Sequence, residues 1–388
     1  MTTSVTDTAT IRAAFLGGGF MAEVHSRAAR MGRARLIGGV SSSEKSSAEA
    51  STKLGLERTY SSIDSLLADD EVDIVHICTP NSTHFEFAMA AIEAGKHVIC
   101  EKPLATTVDD AQRLVDSAAG AGLVGAVPFV YRYHPMVREA RARVANGGLG
   151  TVLSIQGAYL QDWLLSSSDD NWRVDKQLGG PSRAFADIGS HLADLVEFIT
   201  GDTITRLNAT TRTVFAERST HTKVVTEDVV ALVVATSSGA IGTLLVSQVA
   251  PGRKNALTIE IGGTEESIRF DQENPESLWI GRRVGSELVM RDPETLSAEV
   301  QRFSVIPAGH PMGYQDAFNA FIADTYAAVR GEMPDGLPTF ADGLRQVRIT
   351  QAVLSSATTG DWVDVSDETA PADVEPVHRS SALLGTDQ

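Results

Sequence analysis

The feature that most constrains the fold is a glycine-rich turn near the start of the chain, between an apolar run and an amphipathic helical stretch. In IRAAFLGGGFMAEVH, Gly17, Gly19 and Ala22 match the spacing G-x-G-x-x-G/A. Small residues at these positions permit a tight turn and let the backbone approach a pyrophosphate, which the free N–H groups at the helix start can bind. The turn therefore predicts a dinucleotide site, with Phe20 and Met21 beside the ligand.

Short β-branched runs alternate with helical stretches over residues 11–131. The run VDIVHICTP (72–80) is almost wholly apolar, as expected for a strand that is buried on both faces of a parallel sheet. Alternation of this kind builds doubly wound sheets with right-handed crossovers. We therefore expect an α/β Rossmann domain with a parallel sheet over residues 11–131.

The pattern changes beyond about residue 135. Two helical stretches, VREARARVANGG and DIGSHLADLVEFITG (187–201), precede a strand-rich region from 203 to 305, and helical periodicity returns at 313–330 and 340–357. Consecutive strands without helices between them predict an antiparallel sheet, and hence an α+β domain over residues 132–365. Residues 366–388 lack periodicity and are predicted to form a flexible tail.

Charge and composition exclude several classes of partner. The formal net charge of −17 disfavours nucleic acids, because phosphate binding needs a basic surface. No apolar run approaches the roughly 20 residues that span a bilayer, and MTTSVTDTAT lacks the regions of a signal peptide, so we expect a cytoplasmic protein. The two cysteines, Cys78 and Cys100, give neither a disulfide framework nor a zinc spacing, and no metal site is predicted.

The sequence leaves the choice between NAD and NADP open. Dinucleotide folds that bind NAD usually place an acidic residue at the end of the second strand, where it holds the ribose 2′-hydroxyl. Here that strand ends in Ser41, Ser42 and Ser43, followed by Glu44. A 2′-phosphate would not be strongly repelled, but no arginine stands there to bind one. We expect Ser41 and Ser42 to contact the cofactor, and NAD is favoured.

Two short motifs could supply the chemistry of hydride transfer, which needs a group to take the hydroxyl proton and a donor to stabilise the alkoxide. Lys102, in Glu101-Lys102-Pro103, follows a strand whose carboxyl end should face the crevice. Asp187 and His191 have the i, i+4 spacing that shares one helical face, so that His191 could act as a base oriented by Asp187. By themselves, Lys102 could form a surface ion pair, and Asp187 and His191 a metal-binding or structural pair.

Taken in order, four motifs resemble the Gfo/Idh/MocA family of oxidoreductases: GGGFMAEVH, CTPNSTH (78–84), EKPLATT (101–107) and DIGSHLADLVEFITG. The resemblance extends from about Ile11 to Val365. It implies a Rossmann domain followed by an α+β domain, whose open, mostly antiparallel sheet often forms homodimers or homotetramers.

The resemblance also implies roles for individual residues. Lys102, Asp187 and His191 fall on the catalytic positions, with Lys102 binding the reacting hydroxyl and His191 taking its proton. Further residues fall on segments beside the cofactor, namely Thr79, Pro80, Asn81, His84, Glu101 and Arg132. Val130 stands where members commonly have Asn, so one polar contact is expected to be absent.

A polar stretch with interspersed tryptophans points to the substrate. Tyr131, Gln161, Trp172 and Arg173 are predicted to bind it, because sugar sites combine planar polar groups with aromatic faces. Trp172 could instead pack in the core, and Arg173 form a structural ion pair. The favoured function is oxidation of a pyranose or glycoside, at C3 in the leading hypothesis. An inositol 2-dehydrogenase is the alternative enzyme, and a non-catalytic sugar or dinucleotide sensor the alternative of another class.

Overall fold

The computed structural model describes residues 10–365, so the predicted tail (366–388) lies outside the described residues. Six parallel strands form the first sheet, in the order β3-β2-β1-β4-β5-β6. The strands are β1 (Arg12–Leu16), β2 (Arg35–Val40), β3 (Arg58–Thr59), β4 (Ile74–Ile77), β5 (His97–Cys100) and β6 (Gly125–Ala126). The helices between them are α1 (Phe20–Met31), α2 (Glu44–Leu54), α3 (Ile63–Leu67), α4 (His84–Glu93) and α5 (Val108–Gly120). The predicted Rossmann fold is confirmed.

The second sheet has nine strands, in the order β14-β13-β12-β11-β7-β10-β9-β8-β15. Its strands are β7 (Val152–Leu160), β8 (Ile204–Arg212), β9 (Val229–Thr236), β10 (Ile241–Ser247), β11 (Ala256–Gly263), β12 (Ser267–Asp271), β13 (Ser277–Arg282), β14 (Gly285–Met290) and β15 (Val363–Asp364). The remaining helices are α6 (Pro135–Ala145), α7 (Lys176–Gly179), α8 (Ser190–Thr200), α9 (Ala298–Phe303), α10 (Tyr314–Val329) and α11 (Phe340–Thr359). The predicted open, mostly antiparallel sheet is confirmed.

Strand β7 departs from the sequence prediction, which placed the strands of this sheet from residue 203 onward. It lies near the middle of the sheet, parallel to β10 and antiparallel to β11. From Ser154 to Leu160 every second residue is buried, but one of these buried positions is Gly157, so the sequence shows only a weak strand period. The strand matters for the site because its carboxyl end leads directly into the segment that begins at Gln161.

One face of the second sheet is covered and the other is open. In β9, Val230, Leu232 and Val234 point into a core that also contains Leu192 of α8 and Val353 of α11. Side chains on the opposite face alternate with them, and Val233 is 39% exposed. This alternation is the pattern of a sheet with one solvated face.

The last two long helices return to the parallel sheet. Phe318 and Phe321 of α10 pack in the core beneath α1 and β1, whereas Phe340 and Leu344 of α11 pack with α4 and α5 on the other face. None of the helices in the described part of the chain is long and apolar enough to cross a bilayer.

Candidate active site

One cavity of about 1130 Å³ lies where the carboxyl ends of β1, β2, β4 and β5 face the second sheet. Crevices at the carboxyl ends of parallel strands are the usual ligand sites of such folds. Most of the predicted site residues line it: Gly17, Gly19, Phe20, Met21, Ser41, Ser42, Thr79, Pro80, Asn81, Glu101, Lys102, Tyr131, Gln161, Trp172, Arg173, Asp187 and His191. We call residues 17–21, 41–42 and 79–81 the glycine end, and Lys102, Tyr131, Gln161, Asp187 and His191 the lysine end.

The turn after β1 has the geometry that a dinucleotide requires. Gly17 has φ = +98°, and a Cβ atom there would lie 2.6 Å from the carbonyl oxygen of Cys78, so a side chain would strain the turn. Gly19 caps α1 without any side-chain hydrogen bond, and a Cβ at Gly19 would meet no atom within 4 Å. The first N–H groups of α1 therefore face open space, as an anion-binding helix start does. These residues fit a pyrophosphate.

The serines after β2 belong to a helix cap. The Ser43 hydroxyl accepts a hydrogen bond from the Ser46 amide (3.1 Å), and the Ser41 amide donates to the Ser47 hydroxyl (2.8 Å). Ser41 and Ser42 line the cavity with their neighbour Val40, and none of the three carries a charge. In the described part of the chain, the cations that line the cavity are Lys102, Arg173 and Lys254, which belong to other segments.

Lys102 lies directly after β5, ahead of a cis peptide bond to Pro103. Its Nζ donates to the backbone oxygen of Asp187 (2.7 Å) and to Asp187 Oδ1 (2.6 Å). An ammonium group has three N–H donors, so one remains for a ligand oxygen. The side chain is 13% exposed, at the cavity wall. The structure thus places a largely desolvated cation where it can contact a hydroxyl.

Asp187 lies in a π-helical turn, Phe185–Gly189, that leads into α8. Such turns are frequent at functional sites. Its Oδ2 accepts a hydrogen bond from Gln248 Nε2 (2.8 Å), and Arg173 Nε lies 3.5 Å from Oδ1. Burial would raise the pKa of Asp187, but the charges of Lys102 and Arg173 hold it well below its ordinary value. Asp187 is therefore a carboxylate that anchors Lys102.

His191 sits one turn further along, on α8. In the described structure no hydrogen bond joins it to Asp187, whose oxygens are engaged by Lys102 and Gln248, so the orienting bond expected from the i, i+4 spacing is not formed. Instead the ring packs edge-to-face against Phe129 and Tyr131, at centroid distances of 5.6 and 5.0 Å. Burial and the charge of Lys102 lower the pKa of His191 to about 3. The imidazole is thus neutral near pH 7 and able to accept a proton.

The opposite wall of the lysine end is a network of neutral polar groups. Asn255 Oδ1 accepts hydrogen bonds from the Tyr159 hydroxyl (2.6 Å) and Gln161 Nε2 (2.9 Å), and Asn255 Nδ2 donates to the Tyr131 hydroxyl (3.1 Å). Trp163 Nε1 donates to Gln161 Oε1 (2.8 Å). Each amide keeps a further N–H that the network does not use. The wall can therefore bind hydroxyl groups without contributing charge.

A buried ion cluster holds the segment 161–175, which carries Trp163, Trp172 and Arg173. Arg218 donates to the backbone oxygens of Ser166 (2.9 Å) and Asp169 (2.8 Å), and its other terminal nitrogen donates to Asp228 Oδ1 (2.8 Å). Arg183, which precedes the turn of Asp187, pairs with the same Asp228 oxygen. The Asp228 side chain is fully buried, and through its two arginines this cluster ties the segment 161–175 to the turn that carries Asp187.

Two predicted cofactor residues do not reach the cavity wall. The ring nitrogens of His84 lie 2.7 Å from the Pro103 carbonyl oxygen and 3.0 Å from that of Thr79, so His84 joins the segments after β4 and β5. Arg132 is buried between Asp194 (Nε to Oδ2, 2.8 Å) and Asp342 (Nη2 to Oδ1, 2.8 Å). Both support lining segments from behind.

Sequence reasoning missed several lining residues. Tyr159, Asn255 and Tyr314 line the cavity, and Gln248 bonds Asp187 from behind it. Each stands in a segment with no chemical motif, and only the fold brings them together. Asn171 and Trp163 had a signal, the polar stretch with tryptophans. Within residues 10–365, no group of three or more His, Cys, Asp or Glu is placed to hold a metal ion.

Two family models and a curated relative match the chain. Residues 11–129 match the family described as "Oxidoreductase family, NAD-binding Rossmann fold", and residues 137–269 match the Gfo/Idh/MocA C-terminal domain. Levoglucosan dehydrogenase of Pseudarthrobacter phenanthrenivorans is 32% identical over 90% of this chain and 97% of its own length.

Solved structures are similar over nearly the whole chain. Levoglucosan dehydrogenase in complex with NADH and levoglucosan is 31% identical, with a TM-score of 0.86 over 93% of this chain and 100% of that one. An inositol dehydrogenase homologue from Azotobacter vinelandii, complexed with NAD⁺, is 27% identical, with a TM-score of 0.83 over 92% and 97% of the two chains. The chain therefore belongs to the Gfo/Idh/MocA family of NAD(P)-dependent oxidoreductases, which act on CH–OH groups.

Proposed function

We propose that this enzyme oxidises a secondary hydroxyl of an uncharged pyranose or glycoside, at C3. The observation that carries the proposal is the meeting, in one cavity, of the Gly17 turn with Lys102, Asp187, His191 and a wall of neutral hydrogen-bonding groups. The position C3 rests on the resemblance to glycoside 3-dehydrogenases. Residues 11–131 hold the dinucleotide in this proposal, and residues 132–365 complete the substrate site.

The proposed roles follow from the charge state of each group. When bound, the dinucleotide supplies a nicotinamide that accepts hydride from the carbinol carbon. Neutral His191 accepts the hydroxyl proton as the C–O bond gains double-bond character. The free N–H of Lys102 donates to that oxygen and stabilises the negative charge that develops on it. Asp187 fixes Lys102 through two hydrogen bonds and does not take part in the proton transfer.

The charges around the lysine end favour an uncharged substrate. Lys102 and Arg173 share Asp187, and Lys254 pairs with Asp162 at 2.8 Å. A phosphate or carboxylate on the substrate would have to compete for cations that already have carboxylate partners. Hydroxyls, by contrast, match the spare N–H groups of Gln161 and Asn255.

The test is NADH formation with a panel of methyl pyranosides, anhydrosugars, sugar 6-phosphates and inositols. We expect turnover with uncharged pyranosides and a 3-keto product by NMR. Preferred turnover of an inositol would replace the substrate class with the cyclitol alternative. Tight dinucleotide binding without turnover of any polyol would favour the sensor class instead.

We propose NAD as the cofactor. In the described chain no lysine or arginine lines the glycine end, so no side-chain cation there pairs with a 2′-phosphate. Related structures hold NADH or NAD⁺. Calorimetric titration of both dinucleotides tests the proposal, and tighter binding of NADP would contradict it.

We further propose that the open face of the nine-stranded sheet pairs with a second copy of the chain. Ile241, Leu245 and Val233 are 62%, 42% and 39% exposed on adjacent strands, β10 and β9. Contiguous exposed apolar side chains of this kind mark association surfaces. Light scattering should give a dimer or tetramer, whereas a monomer at micromolar concentration would refute the pairing.

A further inference from the structure

A chain of buried polar side chains, unused by the proposed mechanism, leads from Glu101 at the cavity wall into the Rossmann core. His25 Nε2 lies 3.0 Å from Glu101 Oε1, His25 Nδ1 lies 3.0 Å from His76 Nδ1, and His76 Nε2 lies 3.0 Å from the Tyr326 hydroxyl. The residues come from α1, β4 and α10, and both histidines and Tyr326 are 0% exposed. Three distant segments thus converge on one carboxylate.

The hydrogen bonds of this chain have a single consistent direction when both rings are neutral. A carboxylate only accepts, so His25 must donate to Glu101 through Nε2 and accept through Nδ1. His76 must then donate through Nδ1 and accept from the Tyr326 hydroxyl through Nε2. Burial supports the neutral states of His76 and Tyr326, since it lowers the pKa of His76 and raises that of Tyr326. Every donor and acceptor between Tyr326 and Glu101 is then paired.

The chain ends in the core. The Tyr326 hydroxyl has His76 as its hydrogen-bond partner, and among the described residues no further polar group continues the chain toward the surface. A route for protons would need such an exit. The arrangement therefore holds Glu101 in place and does not conduct protons.

Glu101 in turn connects this chain to Lys102. Its second oxygen, Oε2, accepts a hydrogen bond from the Lys102 backbone amide (3.2 Å). Burial alone would raise the pKa of Glu101, but the hydrogen bond from His25 and nearby positive charge, that of Lys102 included, together outweigh burial, and the pKa is lowered. Glu101 thus stays a carboxylate although it is only 6% exposed.

From this geometry we infer that His25 is a positioning residue that keeps Glu101 ionised and fixed. His76 and Tyr326 support His25, and Glu101 in turn holds the backbone from which Lys102 reaches the substrate. The inference rests on the proposed role of Lys102. It assigns a function to the histidine at the end of GGGFMAEVH, which otherwise has only a packing role.

The experiment compares His25→Gln with His25→Leu. A glutamine amide can replace Nε2 as the donor to Glu101, whereas leucine removes the donor. Thr325→Val is the matched control, because Thr325 is buried beside Tyr326 on α10 and its hydroxyl donates to the Phe321 carbonyl, away from the chain to Glu101. We expect kcat to fall about tenfold to a hundredfold in His25→Leu, the range for losing a hydrogen bond to a charged group. His25→Gln and Thr325→Val should stay within about threefold of the wild type.

A pH profile separates positioning from simple destabilisation. In His25→Leu, burial is no longer opposed by the His25 bond, so the pKa of Glu101 rises and the acid limb of kcat/KM moves to higher pH. Adding Glu101→Gln should abolish that shift. The titratable groups that face Glu101 from the surrounding elements, and stay in place in all variants, are His84, Lys102, Cys78, Cys100, His191 and Tyr314.

An infrared measurement tests the protonation state of Glu101 without depending on turnover. In His25→Leu, lowering the pH from about 8 to 6 should produce a protonated-carboxyl band that is absent in the double variant. Absence of that band, or equal losses of kcat in His25→Gln and His25→Leu, would overturn the inference even if the wild type is active. An inactive wild type with the band present would overturn the proposed function but leave the charge-holding role of His25 standing.

Discussion

The two ends of the cavity are built in different ways. The glycine end consists of backbone turns directly after β1, β2 and β4, where small or uncharged residues leave room for a ligand. The lysine end consists of longer side chains from separate segments, held by hydrogen bonds and ion pairs that extend to Gln248 and Asn255. A turn is a local property of the sequence, whereas a network depends on all its members. Substitutions at the glycine end should therefore change dinucleotide affinity, and those at the lysine end turnover.

Lys102→Ala should show the largest effect. Removing the donor to the reacting oxygen is expected to lower kcat about a thousandfold, as loss of an oxyanion donor does. The dissociation constant of NAD should change less than about threefold, because the glycine end is untouched. Lys254→Ala is the control, since that lysine also lines the cavity but its side chain is 78% exposed. Steady-state kinetics and calorimetry measure both quantities, and equal effects of the two substitutions would remove Lys102 from its proposed role.

Asp228→Asn tests whether the buried cluster holds the lysine end. It leaves two buried guanidinium groups, Arg183 and Arg218, without their shared carboxylate. We expect the free energy of unfolding to fall by about 3–5 kcal/mol. Asp162→Asn, which breaks the pair with the exposed Lys254, should lower the stability far less. Urea unfolding followed by tryptophan fluorescence measures the difference, and similar losses for both would show that the cluster contributes little.

Gly17→Ala tests the glycine end by adding a methyl group where the backbone leaves no room for one. Gly17 has φ = +98°, and the added Cβ would lie 2.6 Å from the Cys78 carbonyl oxygen. We therefore expect the free energy of unfolding to fall by roughly 1–3 kcal/mol. Dinucleotide binding should weaken about tenfold or more because the turn must shift. Gly239→Ala is the control, since Gly239 has a similar φ of +93° but nothing within 4 Å of its Cβ. Unchanged NAD affinity in Gly17→Ala would contradict the assignment of the turn.

Acid should destabilise both domains that enclose the cavity. In the Rossmann domain, burial lowers the pKa values of His76 and His84. In the second domain, burial lowers the pKa of His134 to about 4 and that of His191 to about 3. Below a pH of about 6.5 the unfolded chain therefore binds more protons than the folded one, and stability falls by roughly 1.4 kcal/mol per pH unit for each histidine. Urea midpoints between about pH 7 and 5 measure this slope. A flat profile would show that these imidazoles are not held neutral.

Ser42→Asp should produce the smallest change. A carboxylate beside the cavity can accept a hydrogen bond from a ribose 2′-hydroxyl and repel a 2′-phosphate, so the preference for NAD over NADP should rise about tenfold. Ser43→Asp places the same charge one residue along, at the cap of α2 and off the cavity wall. It should leave the preference unchanged. An equal rise in both variants would show that general charge, not contact, determines the preference.

The contrast between a local turn and a long-range network also explains which parts of the site could be predicted from the sequence. The glycine turn was predicted because its spacing, strand and helix are all local, and the Rossmann fold is confirmed. At the lysine end, the motifs located Lys102, Asp187 and His191. They could not show that Asp187 bonds Lys102 and Gln248 instead of His191, because that depends on how β10 meets the π-helical turn. Tyr159 and Asn255 were missed for the same reason, since they meet only when β7 and β11 pair.

Direct transfer of deuterium between the two ends is the measurement that tests the account most directly. A methyl pyranoside carrying deuterium on C3 is incubated with the wild-type enzyme and NAD⁺, and the reduced dinucleotide is examined by NMR. We predict deuterium on C4 of the nicotinamide and a 3-keto sugar in equal amount. A reduced dinucleotide without deuterium, or binding of both ligands without reduction, would contradict the account.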